Sequence, residues 1–197
     1  MGTLDGKVII ITGAARGQGE AEAVLAAQAG AKVVVTDIID GEHVAKEVGG
    51  LFISHDVTSS EQWANVVQKT LDAYGRIDGL VNNEGIAVTA ALHASAEDDV
   101  RRVIDTNLLG SLWTLQAAVP VLKAAGGGVI VNIASVLGHR PLPHTGIYAA
   151  SKAAIMQMTR SAAIELARDQ IRVNALAPGY VMTDLNRDFL TSDAGIK

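Results

Sequence analysis

The sequence contains no cysteine, which excludes disulfide scaffolds, thiolate metal sites and thiol nucleophiles. It also lacks any run of lysine or arginine, and its formal net charge is −5 over 197 residues, with a pI near 5.5. That balance offers no electrostatic footprint for nucleic acid or an anionic membrane. No apolar stretch reaches the roughly 18 residues of a membrane span; the longest are broken by Lys123 and by Gly126-Gly127-Gly128. The opening Met1-Gly2-Thr3-Leu4-Asp5-Gly6-Lys7 does not follow the basic-then-apolar plan of a secretory signal. A cytoplasmic protein is therefore expected, with no membrane or nucleic-acid partner. No repeat, low-complexity tract or polar linker interrupts the chain, so one domain over 1–197 is expected. No spacing of His, Asp and Glu suggests a metal site.

What is present is a chain 49% hydrophobic and 19% charged, long enough for one well-buried core. Val8-Ile9-Ile10-Ile11 is a continuous β-branched run ending at Thr12-Gly13, the pattern of a strand buried on both faces. A Gly-rich turn follows, then an Ala- and Glu-rich segment with helical spacing from Gly17 to Gly30, then a second strand pattern over Lys32 to Asp37. Further strands are expected at about 51–54, 78–82, 128–133 and 171–176, with helices at about 41–48, 60–73, 97–125 and 147–168. Six strands alternating with helices imply an α/β fold: a Rossmann-type, doubly wound parallel sheet with helices on both faces. The segment Ser151 to Arg168 is apolar on more than one stripe, so it is expected to be buried on two sides, against the sheet and against a partner subunit.

Thr12-Gly13-Ala14-Ala15-Arg16-Gly17-Gln18-Gly19 lies between the first strand and the first helix. At that place backbone N–H groups and a helix N-terminus can hold a dinucleotide pyrophosphate. Glycines suit it because a Cβ would block the approach of backbone to phosphate. The spacing G-x3-G-x-G is looser than G-x-G-x-x-G and draws its weight from the strand before it. Asp37 ends the second strand, where a carboxylate can accept hydrogen bonds from the adenosine ribose and would repel a 2′-phosphate; this favours NAD over NADP. Arg16 argues the other way, because a guanidinium in the loop can meet a 2′-phosphate.

Tyr148 and Lys152 stand at i and i+4 at the start of a predicted helix, so both project from one face about a turn apart. An ammonium at that distance is expected to stabilise the phenolate and bring the tyrosine below its ordinary pKa of about 10. A Y-x3-K pair alone is a weak pattern. Ser135 strengthens it, because it falls just beyond the strand Val129-Ile130-Val131-Asn132-Ile133, at the sheet edge where ligands bind. A hydroxyl there can donate to a carbonyl oxygen as negative charge develops on it.

Together these residues resemble the short-chain dehydrogenase/reductase family, and the likeness runs from residue 4 to about 185. The matching pieces are Thr12-Gly13-x3-Gly17-x-Gly19, Asp37, Asp56-Val57, Asn82-Asn83-x-Gly85, Asn107, Ser135, Tyr148-x3-Lys152, Ile171-Arg172-Val173-Asn174 and Pro178-Gly179 with Thr183. The resemblance implies that Tyr148 is the general acid/base, that Ser135 polarises the carbonyl, and that Lys152 orients the ribose and tunes Tyr148. Asn107 would hold a water in a proton relay. It implies further that Gly13, Arg16, Gly17, Gln18, Gly19, Asp37 and Ile38 meet the cofactor on its adenosine and phosphate side. Asp56 and Val57 would meet the adenine, and Asn83 and Gly85 would line the groove. Pro178, Gly179, Val181 and Thr183 would contact the nicotinamide end.

Three features depart from the family pattern. Glu84 stands where the Asn-Asn-Ala-Gly motif has a small residue, so a carboxylate enters a groove built for an anionic cofactor. Gln18 replaces a common aliphatic residue. The sequence ends at Lys197, whereas family members usually continue through one more helix and a seventh strand, so those elements are expected to be missing and the segment from Asn186 onward to be part of a lid. His139 and His144 are candidates for pocket lining or for solvent, His55 for strand-end packing, and Trp113 for core packing.

The expected function is NAD(H)-linked interconversion of a secondary alcohol and a ketone, steroid-like or otherwise small and apolar, by a homo-oligomer, a dimer or tetramer. One alternative is reduction of a 3-oxoacyl thioester on a carrier protein, a usually NADPH-linked role that Asp37 suits poorly. The other is a dinucleotide-binding subunit without turnover.

Overall fold

The computed structural model describes residues 2–182; Thr183 and the expected lid from Asn186 onward lie outside them. The β-branched runs form six strands, β1 (Val8–Thr12), β2 (Lys32–Asp37), β3 (Leu51–Ser54), β4 (Gly79–Asn82), β5 (Gly128–Ile133) and β6 (Ile171–Leu176). They make one parallel sheet in the order β3-β2-β1-β4-β5-β6. Between them run α1 (Gly17–Gln28), α2 (Glu42–Val48), α3 (Ser60–Tyr74), α4 (Glu97–Ile104), α5 (Gly110–Ala124) and α6 (Gly146–Leu166). The doubly wound Rossmann arrangement expected from the alternation of strands and helices is therefore present.

Side chains alternate across the pleat, and each face has its own core. Ile11, Val33 and Val35 pack with Ala23 of α1 and with Val44 and Ala45 of α2. Ile10, Val34, Leu80 and Ile130 pack on the other face against Trp63 and Val66 of α3, Leu122 of α5 and Leu166 of α6. Each such side chain contributes roughly 1.5–3 kcal/mol by leaving water. Local signals set the helix ends: Ser59 caps α3 by accepting from the Gln62 N–H at 3.4 Å, and Gly49 and Gly75 close α2 and α3 with φ of +61° and +73°, a conformation open to glycine without cost.

One expectation changes. The single helix at 97–125 is divided by a π-turn over Asp105–Leu109, which no proline announces and which opens on the polar run Asp105-Thr106-Asn107. The wider turn accommodates one extra residue, and Gly110 then packs so closely on Val57 that a Cβ would lie 2.9 Å from its Cγ2. Within one copy of the chain, α6 packs one side on the sheet, and the side expected to meet a partner subunit is open. Ser151, Ile155, Thr159, Ala162 and Leu166 face inward, while Gln157, Arg160 and Ile164 face solvent, Ile164 at 79% exposure. Small alanines spread the apolar character around the helix without burying it.

The face that carries α1 and α2 opens over β4 and β5 into a groove of about 610 Å³, floored by Ile9, Val81, Val129 and Val131. Among the described residues, no strand pairs with the outer edge of β6.

His55, just past β3, is 1% exposed and packs edge-on against Trp63 with ring centroids 4.2 Å apart. It therefore fills the strand-end packing role. Trp113 likewise packs on the core from its rim. Burial holds His55 neutral, lowering its pKa from 6.5 to about 4 against the opposing pull of Asp56. The unfolded chain takes up this proton near pH 6.5 and the folded protein only near 4, so stability present above pH 6.5 is lost as pH falls through that window. Urea unfolding at a series of pH values is expected to show this loss in the wild type and a shallower one in His55→Phe.

Candidate active site

A cleft of about 300 Å³ lies at the carboxyl ends of the strands, where β1 and β4 part and the crossovers leave in opposite directions. In open α/β sheets that crevice is the ligand site. It receives Gly13, Arg16, Gly17 and Gln18 from the loop after β1, Asp37 and Ile38 from the end of β2, and Asn83, Glu84 and Gly85 from the segment after β4. Ser135, Tyr148, Lys152, Pro178, Gly179 and Val181 line the remainder. The loop and the Tyr-Lys pair, more than a hundred residues apart in sequence, thus share one cavity.

The phosphate loop is held by its neighbours more than by itself. Gly13 and Gly17 adopt φ of +60° and +62°, and a Cβ on Gly19 would collide with the Gly13 carbonyl oxygen, so these glycines are required by geometry. No side chain caps α1, which leaves its first-turn N–H groups directed at the loop, a setting that favours an anion. Asp37 fastens the loop to β2: its carboxylate accepts from the Ala15 N–H and the Ile39 N–H, both at 3.1 Å. Thr12 Oγ1 accepts from the backbone N–H groups of Asn83 at 3.1 Å and Glu84 at 3.0 Å, while Asn83 Nδ2 donates to the carbonyls of Thr12 and Gly13 at 2.9 and 3.0 Å. Gln18 donates to Glu22 one turn along α1 at 2.9 Å.

Across the cleft, Ser135 ends an extended backbone stretch after β5, and its Oγ accepts from the Leu137 N–H at 3.1 Å. Its hydroxyl stands near the Tyr148 phenol and draws that group's pKa down. Lys152, one turn further along α6, is 2% exposed; its ammonium donates to the Ile133 carbonyl at 2.7 Å and lies 5.7 Å from the centre of the Tyr148 ring. This changes one expectation: the phenol sits above its ordinary pKa of 10, because burial outweighs the opposing pull of the Ser135 hydroxyl. The ammonium is turned to a carbonyl and does not bring the phenol down. Lys152 itself is lowered from 10.5 to about 8, by burial first, with Glu84 opposing.

Asn107 is fully buried in the π-turn and does not line the cleft. Its Oδ1 accepts from the Ile86 N–H at 2.8 Å, and its Nδ2 donates to the Ile86 carbonyl and to Ser151 Oγ, both at 3.0 Å. Ser151 Oγ in turn donates to the Tyr148 carbonyl at 2.7 Å. A chain of side chains therefore ties the segment after Gly85 to the first turn of α6. Asp56 and Val57 also stand off the cleft: Asp56 accepts from the Thr58 N–H at 2.9 Å and from its hydroxyl at 2.8 Å, and Val57 joins the core. His139 and His144 are exposed and do not line the cleft. Thr12 and Ser151 were assigned no role from the sequence; the only sign was their position, Thr12 closing a buried strand and Ser151 three residues after Tyr148.

Glu84 is half-buried, and its carboxyl pKa rises from 4.5 to about 7. Burial is the leading cause, Asp37 adds to it, and the Gly85 N–H, Lys152 and Arg16 oppose it. Among the described residues, no group of three or more His, Asp or Glu is placed to hold a metal ion, and no helix is long and apolar enough to cross a membrane.

The short chain dehydrogenase family model matches residues 7–193. A 3-oxoacyl-[acyl-carrier-protein] reductase, FabG of Thermotoga maritima, is 44% identical over 189 residues, which cover 92% of this chain and 77% of that protein. A 3-alpha-(or 20-beta)-hydroxysteroid dehydrogenase of Mycobacterium bovis is 37% identical, with 98% and 75% covered. Among solved structures, a 3-ketoacyl-(acyl-carrier-protein) reductase from Brucella melitensis complexed with NADH superposes with a TM-score of 0.91 at 35% identity, covering 93% of this chain and 79% of that one. The matched stretch takes in all six strands and the cleft at their ends, and the chain belongs to the short-chain dehydrogenase family of oxidoreductases.

Proposed function

We propose that the protein interconverts a secondary alcohol and a ketone with NAD(H), and that Tyr148 carries the proton. The observation that carries this proposal is that Ser135, Tyr148 and Lys152 line the same cleft as the phosphate loop. The residues present fit a dinucleotide: glycines hold the loop where side chains would block it, an uncapped helix start faces it, and Asp37 stands at the end of β2. NADH, when bound, supplies the hydride. Ser135 donates to the substrate oxygen as charge develops there. Tyr148, a protonated phenol at neutral pH because burial raises it, hands its proton to that oxygen and takes one back in the oxidation direction. Lys152 is fixed by the Ile133 carbonyl and directs its charge into the cleft beside Tyr148. Asn107 and Ser151 set the position of Tyr148 through its backbone. The other cofactor contacts proposed are Ile38, Asn83, Gly85, Pro178, Gly179 and Val181, all of which line the cleft; Asp56, Val57 and Thr183 complete the proposed set.

Asp37 favours NAD. Its two oxygens already accept from the loop and from Ile39, so a 2′-phosphate placed beside it would meet a fixed negative charge. A hydroxysteroid or other apolar secondary alcohol is the substrate class we favour, in keeping with the mycobacterial relative. The 3-oxoacyl thioester is the second proposal. It gains from the Brucella structure, in which a reductase of that kind holds NADH, so a preference for NAD does not count against it. A dinucleotide-binding subunit without turnover is disfavoured by the intact Ser135, Tyr148 and Lys152 cluster. A second copy of the chain against the exposed side of α6, around Ile164, completes the proposal. Sedimentation is expected to register a dimer or tetramer, and a monomer at working concentration would remove that part.

Steady-state reduction of a ketone panel with NADH is expected to show turnover, reduced about 10²–10⁴-fold in Tyr148→Phe with NADH affinity retained. Unchanged turnover in that variant would take the proton transfer away from Tyr148. Asp37→Ala is expected to bring the kcat/KM values for NADPH and NADH together by at least about tenfold, the equivalent of about 1.4 kcal/mol, and an unaltered preference would remove Asp37 as the discriminating group.

A further inference from the structure

Glu84 follows Asn82 and Asn83 at the end of β4 and turns its carboxylate onto the phosphate loop. A Cβ placed on Gly13 would lie 2.6 Å from a Glu84 carboxylate oxygen and 3.0 Å from its Cα. The backbone is pinned there by the Glu84 N–H, which donates to Thr12 Oγ1 at 3.0 Å. The charged groups facing the carboxyl come from every surrounding element: Asp37 from β2, Arg16 from the loop before α1 and Lys152 from α6, with the Gly85 N–H beside it. Two cations thus stand with two carboxyl groups, and the two pairs of charges balance when Glu84 is ionised. A dinucleotide places a doubly negative pyrophosphate against this loop, which has no further cation facing Glu84 to offset it.

Resting on the dinucleotide binding proposed above, we infer that Glu84 couples cofactor binding to the uptake of one proton. A solvent proton adds to the carboxylate as the pyrophosphate settles, and the neutral carboxylic acid shares the loop with the phosphate oxygens and can donate to one of them. The alternative of swinging the side chain to solvent is opposed by the pinned backbone and the close packing on Gly13. Burial and Asp37 have already brought the carboxyl to about 7, so the added negative charge completes a protonation that is half achieved at neutral pH. The small residue expected at this position in the family would leave cofactor affinity without this dependence.

NADH is the probe. Infrared difference spectra taken on adding NADH to the whole protein at pH 8 are expected to gain the C=O stretch of a protonated carboxylic acid, moved by ¹³C-labelled glutamate and absent from Glu84→Gln and Glu84→Ala. NADH fluorescence titration from pH 6 to 8 is expected to show equal Kd values for wild type and Glu84→Gln at pH 6. The wild type becomes weaker by about threefold to fourfold at pH 7.5, as one linked proton with a pKa near 7 requires. Deprotonation of Lys152 acts on both proteins and contributes no carboxylic band. NADH binding with no carboxylic band at any pH overturns the inference and leaves the dinucleotide reading standing. Weaker binding by both variants also overturns it, since the carboxylate would then be a hydrogen-bond acceptor for the cofactor. If neither wild type nor variants bind NADH or NADPH, the dinucleotide reading fails, and the inference with it.

Discussion

The junction between β1 and β4 is where the sheet divides, and one hydroxyl holds it. The crossovers leave these strands in opposite directions, so the loops at their carboxyl ends diverge and are tied together by side chains. Thr12 Oγ1 accepts two backbone N–H groups from the strand opposite, and Asn83 returns two hydrogen bonds to the carbonyls of Thr12 and Gly13. Each satisfies a group that would be expensive to bury unpaired, by about 1–3 kcal/mol apiece. The clasp also fixes where the loop, Glu84 and the floor of the cleft sit relative to each other, and every element of the site hangs from it.

Electrostatics in the cleft follow from how little water reaches it. Lys152 donates to the Ile133 carbonyl and feels the Glu84 carboxylate, and burial still lowers its pKa to about 8. Tyr148 is moved upward by the same burial that moves Lys152 downward. Desolvation thus favours the neutral form of both groups.

Most of the fold can be seen in the sequence because a strand buried on both faces leaves an unmistakable run such as Val8-Ile9-Ile10-Ile11, and helices such as 60–74 carry both a serine cap and a closing glycine. The gathering of Ser135, Tyr148 and Lys152 could be anticipated for a similar reason: each falls at the carboxyl end of a strand or the start of the helix beyond it. What escaped was decided by partners distant in sequence. The buried state of Asn107 depends on Ile86 and Ser151, the raised phenol on the packing around it, and the Asp37 contacts on a loop twenty-two residues earlier.

The π-turn at Asp105–Leu109 makes residue count, as distinct from residue identity, a property under constraint. A π-turn fits five residues where a regular helix fits four, so the extra residue is absorbed inside the turn and α4 and α5 keep their facing. Loss of one residue would leave the core packing of both helices in place and tighten the turn around Asn107, drawing its amide away from Ile86 and Ser151. The length of this segment therefore sets the tie between the cleft and the first turn of α6, while its exposed side chains are free to vary.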